Sequence, residues 1–140
     1  MFGLVRSNCD VHVFARSLAK RRALASELGA TYGGQIPDAG SVRPQILVNA
    51  TSIGNDLSSD VPVPDSVFAT ARVVMDIIAR PRRSQLLDRA AAAGADAIGG
   101  VRMLVLQAAF TVELLTGAKA PVQAMQDAVE RAMASAAART

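Results

Sequence analysis

Gly100-Val101-Arg102-Met103-Leu104-Val105-Leu106-Gln107-Ala108-Ala109 is a glycine turn opening a strongly apolar helix that carries one amide, Gln107. Two related junctions lie upstream. Asn49-Ala50-Thr51-Ser52-Ile53-Gly54 follows the apolar run Ile46-Leu47-Val48, and Ala15-Arg16-Ser17-Leu18-Ala19-Lys20 follows Val11-His12-Val13-Phe14. Three strand-to-helix junctions, each ending in polar or cationic groups, describe the cofactor edge of a nucleotide-binding sheet.

Working outward, strands alternate with helices along the whole chain, which predicts a parallel α/β sheet. Val11–Phe14 reads as a strand. Ser17 then sits at an N-cap position, and helical spacing runs through Leu18, Arg21, Ala25 and Leu28 to a stop at Gly29. Ala30–Tyr32 reads as a short strand ended by Gly33-Gly34, and residues 35–44 as a loop with room for one helical turn. Ile46–Val48 is apolar throughout, as expected of a parallel strand covered on both faces. Residues 56–64 are loop-like, and Arg72–Ile78 is the next strand, broken by Pro81. Ser84–Ala93 forms a helix closed by Gly94, Asp96–Ile98 a final strand, and Gly100–Leu115 a long helix ended by Gly117. A terminal helix runs from Pro121 to about Ala138, with Val122, Met125, Val129 and Met133 on one side.

Composition narrows the function classes. A chain of 140 residues, 51% of them hydrophobic, suits one folded domain with a core built on Ala, Val, Leu and Ile. The net charge of +3 is mild and its cations are spread, so nucleic acid is not an expected partner. No apolar run reaches the ~18 to 20 residues that span a bilayer, so no membrane partner is expected either. The single cysteine, Cys9, excludes an internal disulfide, and the lone His12 lacks partners for a metal site. A reduced, cytoplasmic protein is the expectation.

The junctions suggest specific chemistry. In a dinucleotide-binding sheet, an acidic residue beside the adenosine ribose favours NAD and a basic one accepts the 2′-phosphate of NADP. Here Arg16, Ser17 and Lys20 occupy that place, without Asp or Glu. A guanidinium can stack on adenine while pairing with phosphate, and a helix N-terminus favours an anion. The same residues also read as a solvated helix start. Asn49 and Thr51 can line a ribose or nicotinamide pocket, or form an ordinary Asn-Thr-Ser turn with Gly54 left-handed. Gln107 reads as a buried amide that meets either a ligand or a nearby backbone group. Asp76, at a strand end, reads as structural, accepting hydrogen bonds from nearby backbone.

At these residues the chain resembles the C-terminal, NADP-binding part of the shikimate dehydrogenase family. Ala15-Arg16-Ser17-Leu18-Ala19-Lys20 resembles Asn-Arg-Thr-x-x-Arg/Lys, and Asn49–Gly54 resembles Asn-Ala-Thr-Pro-x-Gly. Asp76-Ile77-Ile78-Ala79-Arg80-Pro81, with Ser84 and Leu86-Leu87, resembles Asp-x-x-Tyr-x-Pro…Thr-x-Leu-Leu. Gly100–Ala108 resembles Gly-Leu-x-Met-Leu-Val-x-Gln-Ala. The resemblance implies a Rossmann-like sheet with flanking helices and NADP-dependent interconversion of 3-dehydroshikimate and shikimate. It implies that Ala15, Arg16, Ser17 and Lys20 hold the 2′-phosphate end, and that Asn49 and Thr51 line the cofactor cleft. Ile77, Gly100 and Met103 would lie by the nicotinamide, and Ala79 and Gln107 would face a shikimate-like small molecule.

Departures from the pattern are informative. Ala79 stands where the family has a substrate-side Tyr, Asn55 where Met is usual, and Ser52 where Pro is usual. Ser52 and Ala79 together look more like the broader-specificity, shikimate dehydrogenase-like branch. No Gly-x-Gly-x-x-Gly occurs in the chain, and the family's catalytic Lys and Asp belong to a preceding substrate domain. By the resemblance, residues 1–7 end the helix after the pyrophosphate loop. Residues 1–140 thus read as an incomplete Rossmann domain lacking its first strand, with no catalytic residue of its own. In a 3-2-1-4-5-6 sheet that strand is central, so Val11–Phe14 and Ile46–Val48 either pair directly or both carry an open edge. The expectation is a dehydrogenase fragment inactive alone, completed by an N-terminal domain or by homo-oligomerisation. The alternatives are a truncated paralogue that docks on another chain and the NADP-binding part of a different reductase.

Overall fold

The computed structural model describes residues 2–55, 60–80 and 83–137, with the backbone alone at 2, 18–21 and 137. Pro81 and residues 56–59 and 138 therefore lie outside the described residues. The elements alternate: α1 (Phe2–Arg6), β1 (His12–Phe14), α2 (Leu18–Leu28), β2 (Thr31–Gly34), β3 (Ile46–Asn49), β4 (Val73–Asp76), α3 (Gln85–Ala92), β5 (Asp96–Ile98), α4 (Gly100–Thr116) and α5 (Val122–Ala137). Short 3-10 helices at Ile36–Ser41 and Asp65–Ala69 fill the two longer connections. The second was not anticipated. Its signal was Pro64-Asp65, a proline and an acidic first turn.

Every strand pairing is parallel, and each crossover is helical or nearly so, as the α/β reading requires. The strands form two pieces: β2 pairs with β1, and β3, β4 and β5 pair in that order. This is the 3-2 and 4-5-6 of a doubly wound sheet with a gap between them. Of the two outcomes the sequence allowed, β1 and β3 take the second: they do not pair with each other. β3 consequently departs from expectation. Ile46 and Val48, on one face of the strand, are 46% and 41% exposed, so its apolar run is not covered on both faces.

One hydrophobic core lies between the three-stranded piece and α3. It joins Phe68, Ala71, Val74, Leu86, Leu87, Ala90 and Ala95, with Leu47, Val61 and Val63 against its edge. Ser84 caps α3, its hydroxyl accepting from the Leu87 amide at 3.4 Å. Around β1 and β2 the packing is thinner, resting on Ala25, Ile36 and Ala39 with the Phe14 ring directly over Gly33. Helices α2 and α4 end where glycines 29 and 117 adopt left-handed backbone. Helix α5 packs beside α4 in a hairpin, turning Met125, Val129 and Met133 partly inward.

Candidate cofactor cleft

Parallel strands place the residues at their carboxyl ends in loops along one edge, where a crossover in each direction leaves a crevice. The segments singled out from the sequence fall at such ends. Asn49–Gly54 leaves β3, Ile77–Ala79 leaves β4, and Gly100 opens α4 after β5. Between the first two lies a cleft of about 360 Å³, lined by Ala50, Thr51, Ser52, Asn55, Ile77, Ile78 and Ala79. A larger depression, about 700 Å³, includes Arg43, Arg72 and Asp96. It sits at the amino ends of the same strands, away from the edge where crossovers open a ligand crevice.

The cleft is held from beneath by a buried polar network. The Asp76 side chain is fully buried and accepts three hydrogen bonds. Its Oδ1 takes the Asn49 amide Nδ2 and the Ile78 backbone N–H, each at 3.1 Å. Its Oδ2 takes the Ser84 hydroxyl at 2.6 Å. Asn49, only 4% exposed, uses its whole amide: Nδ2 also reaches Ile53 O at 3.4 Å, while Oδ1 accepts from Thr51 N at 3.0 Å and Thr51 Oγ1 at 2.8 Å. Thr51 Oγ1 in turn accepts the Ile53 N–H at 3.1 Å. Asn49 therefore shapes the turn from below, and Thr51 lines the cleft with its hydroxyl committed to that turn. Asp76 is structural, as expected, but two of its three donors are side chains. The partnership of Ser84 with Asp76 has no sequence signal beyond the placement of Ser84 at the start of α3.

Gly100 begins α4 against the β4–α3 loop. Its N–H donates to Ile78 O at 3.2 Å, and a Cβ at this position would collide with the Ile77 carbonyl. Met103 is half-buried one turn further on. Gln107 corrects the sequence reading: its side chain is exposed. Helix α4 buries Val105 and Ala109 on one side, and Gln107 lies roughly 200° around the helix from Val105, about two turns along from Gly100 on nearly the same line at 3.6 residues per turn.

At the end of β1, Ala15 is half-buried, while Arg16 and Ser17 are exposed. Ser17 occupies the N-cap of α2, yet its side chain makes no cap hydrogen bond. Arg16 has no ion pair among the described residues. An unengaged guanidinium and hydroxyl at the N-terminus of an 11-residue helix fit a phosphate group. The Lys20 side chain lies outside the described residues.

Residues 100–130 match the family model described as the Shikimate 5'-dehydrogenase C-terminal domain. The chain belongs to the shikimate dehydrogenase family. It corresponds to the C-terminal part of that family and has its Rossmann-like α/β fold. It is 38% identical over 130 residues to "Shikimate dehydrogenase (NADP(+))" of Halorubrum lacusprofundi, covering 91% of this chain and 47% of that protein. It is 35% identical to the protein of the same name from Ignicoccus hospitalis, covering 95% of this chain and 49% of that one. The crystal structure of shikimate 5-dehydrogenase from Thermus thermophilus in complex with NADP(H) and shikimate superposes with a TM-score of 0.79 at 30% identity. That superposition covers 92% of this chain and 48% of the other. The chain thus spans about half the length of the curated relatives it matches.

Proposed function

We propose that residues 1–140 are the NADP-binding part of a shikimate-type dehydrogenase, an incomplete Rossmann domain that turns over substrate only with a complementing N-terminal domain. The observation that carries this reading is the unengaged Arg16 and Ser17 at the start of α2, directly after a parallel strand. In this reading Arg16, Ser17 and Lys20 hold the 2′-phosphate, with Ala15 beneath the adenine. Thr51, Ile77, Gly100 and Met103 border the nicotinamide, and Asn49 fixes the Thr51 turn. NADPH supplies the hydride when bound. Ala79 and Gln107 face the shikimate-like substrate, Gln107 with its exposed amide free to donate to a hydroxyl or carboxylate.

No described residue at the cleft suits proton transfer to the substrate. Asp76 is sealed beneath the cleft with both oxygens engaged, so it cannot act as general acid or base. Ala79 leaves room where the family places a tyrosine, which supports a substrate broader than shikimate alone. The free thiol of Cys9 suits a reducing, cytoplasmic setting. No described helix is long and apolar enough to cross a membrane.

Calorimetric titration with NADP, with circular dichroism to confirm folding, tests the reading. NADP should bind, Arg16→Ala should weaken it by at least about tenfold, as loss of a hydrogen bond to a charged group does, and NAD affinity should barely move. A folded chain that does not bind NADP sinks the proposal. It would favour the second reading, a docking module, for which the broadly exposed apolar surface of α4 speaks.

A further inference from the structure

The two walls of the cleft come from separate segments. One is the Asn49–Asn55 turn after β3, and the other is the Ile77–Ala79 loop after β4. The side chains lining them are apolar or short and uncharged. Two links run below: the Ile77 N–H donates to Asn49 O at 3.1 Å as the last rung of the β3–β4 ladder, and the Asp76 side chain joins the walls beyond it. Asp76 Oδ1 accepts both from Asn49, which organises the first wall, and from the Ile78 N–H, which belongs to the second. The other oxygen, Oδ2, ties the same carboxylate to Ser84 at the start of α3.

The donor accounting leaves little slack. Both protons and both lone-pair sites of the Asn49 amide are used. Ser84 donates to Asp76 and accepts from Leu87. No described cation pairs with Asp76. Three neutral donors satisfy the carboxylate, aided by the helix α3 N-terminus. Gly54, buried with φ 96°, lets the turn lie close to the Ile78 and Ser84 side chains, so apolar contact backs the polar link.

We propose that Asp76 is a positioning residue that couples the two cleft walls. It sets the gap between the Thr51 turn and the Ile77–Ile78 loop without touching a ligand. The nicotinamide as occupant of that gap rests on the function proposed above; the coupling itself does not. Because Asp76 Oδ1 serves a donor from each wall, and is the side-chain tie beyond the backbone rung between Ile77 N and Asn49 O, loosening one wall should loosen the other.

Amide hydrogen exchange on the 140-residue chain tests this without any ligand. In Asp76→Ala, the Thr51 and Ile53 amides, which do not bond Asp76 directly, should exchange about tenfold faster, together with Ile78. The Ala95 amide, bonded to Ala90 O at the far end of α3, is the control for global loosening. Asp76→Asn should largely rescue protection, because its amide oxygen still serves Asn49 and Ile78 while its NH2 turns to Ser84 Oγ. If Asp76→Ala does not fold, Asn49→Ala provides the reverse reading: the Ile78 amide, which Asn49 does not touch, should exchange several-fold faster. Unchanged Thr51 and Ile53 in the first variant, or unchanged Ile78 in the second, would show independent walls and overturn the proposal. So would equal acceleration at Ala95, which would reduce Asp76 to a stability role. An NADP titration of the same proteins reports separately on the cofactor reading: wild type that shows coupled exchange but no NADP binding would refute the function and leave the coupling intact.

Discussion

Helices α3 and α4 both follow a parallel strand, and both are built largely from aliphatic residues, leucine and alanine in α3 and leucine, valine and alanine in α4. They end in opposite environments. In its eight residues α3 buries Leu86, Leu87 and Ala90 in the core and keeps Gln85, Asp88 and Arg89 in water. Over 17 residues α4 buries only Gly100, Val105 and Ala109. Phe110, Leu114 and Leu115 stand 67%, 73% and 79% exposed. Apolar content thus says little about burial here. What separates the helices is the surface available: α3 lies on the paired three-stranded piece, whereas α4 has α5 beside it and leaves Phe110, Leu114 and Leu115 of its distal half largely exposed. The same contrast divides β4, with a neighbour on each side, from β3, whose second edge is open.

The comparison can be broken most decisively at Leu86. Leu86→Ala removes a side chain only 2% exposed and should cost about 2 to 5 kcal/mol by denaturant titration. A loss under about 1 kcal/mol would mean that the α3 core is not the stabilising centre of the fold. Next comes the anchor of α4. Gly100→Ala forces a methyl group against the Ile77 carbonyl, which should cost about 1 to 3 kcal/mol and shift the Ile77 and Ile78 amide resonances. Unaltered resonances would show that α4 is not seated there. The smallest effect should come from the distal half of α4. Leu115→Ala alters a largely exposed side chain and should stay within about 0.5 kcal/mol. A penalty comparable to that of Leu86→Ala would reveal that this surface is covered in solution.

Much of the site was legible because its signals are local. Ser84 marked the start of a helix, Gly29 and Gly117 marked helix ends, and the Asn49–Gly54 turn announced itself by residue type. Arg16 and Ser17 were placed at a strand end and were found there, unengaged. Gln107 was misread because an amide inside an apolar helix looks buried, and the sequence holds no record of which side of that helix has a partner. The Asn49–Asp76–Ser84 network was invisible for a related reason. Its members are 27 and 8 residues apart and meet only once β3, β4 and α3 are assembled.

The sequence by itself determined the alternation of strands and helices, the parallel α/β class, the element ends and the polar character of each junction. All of these follow from backbone preferences and side-chain periodicity over a few residues. Only the tertiary structure decided that β1 and β3 stay unpaired, that α4 is largely uncovered, and that one buried carboxylate ties both cleft walls together. Those outcomes depend on which surfaces meet across long sequence separations, and short-range chemistry carries no information about such meetings.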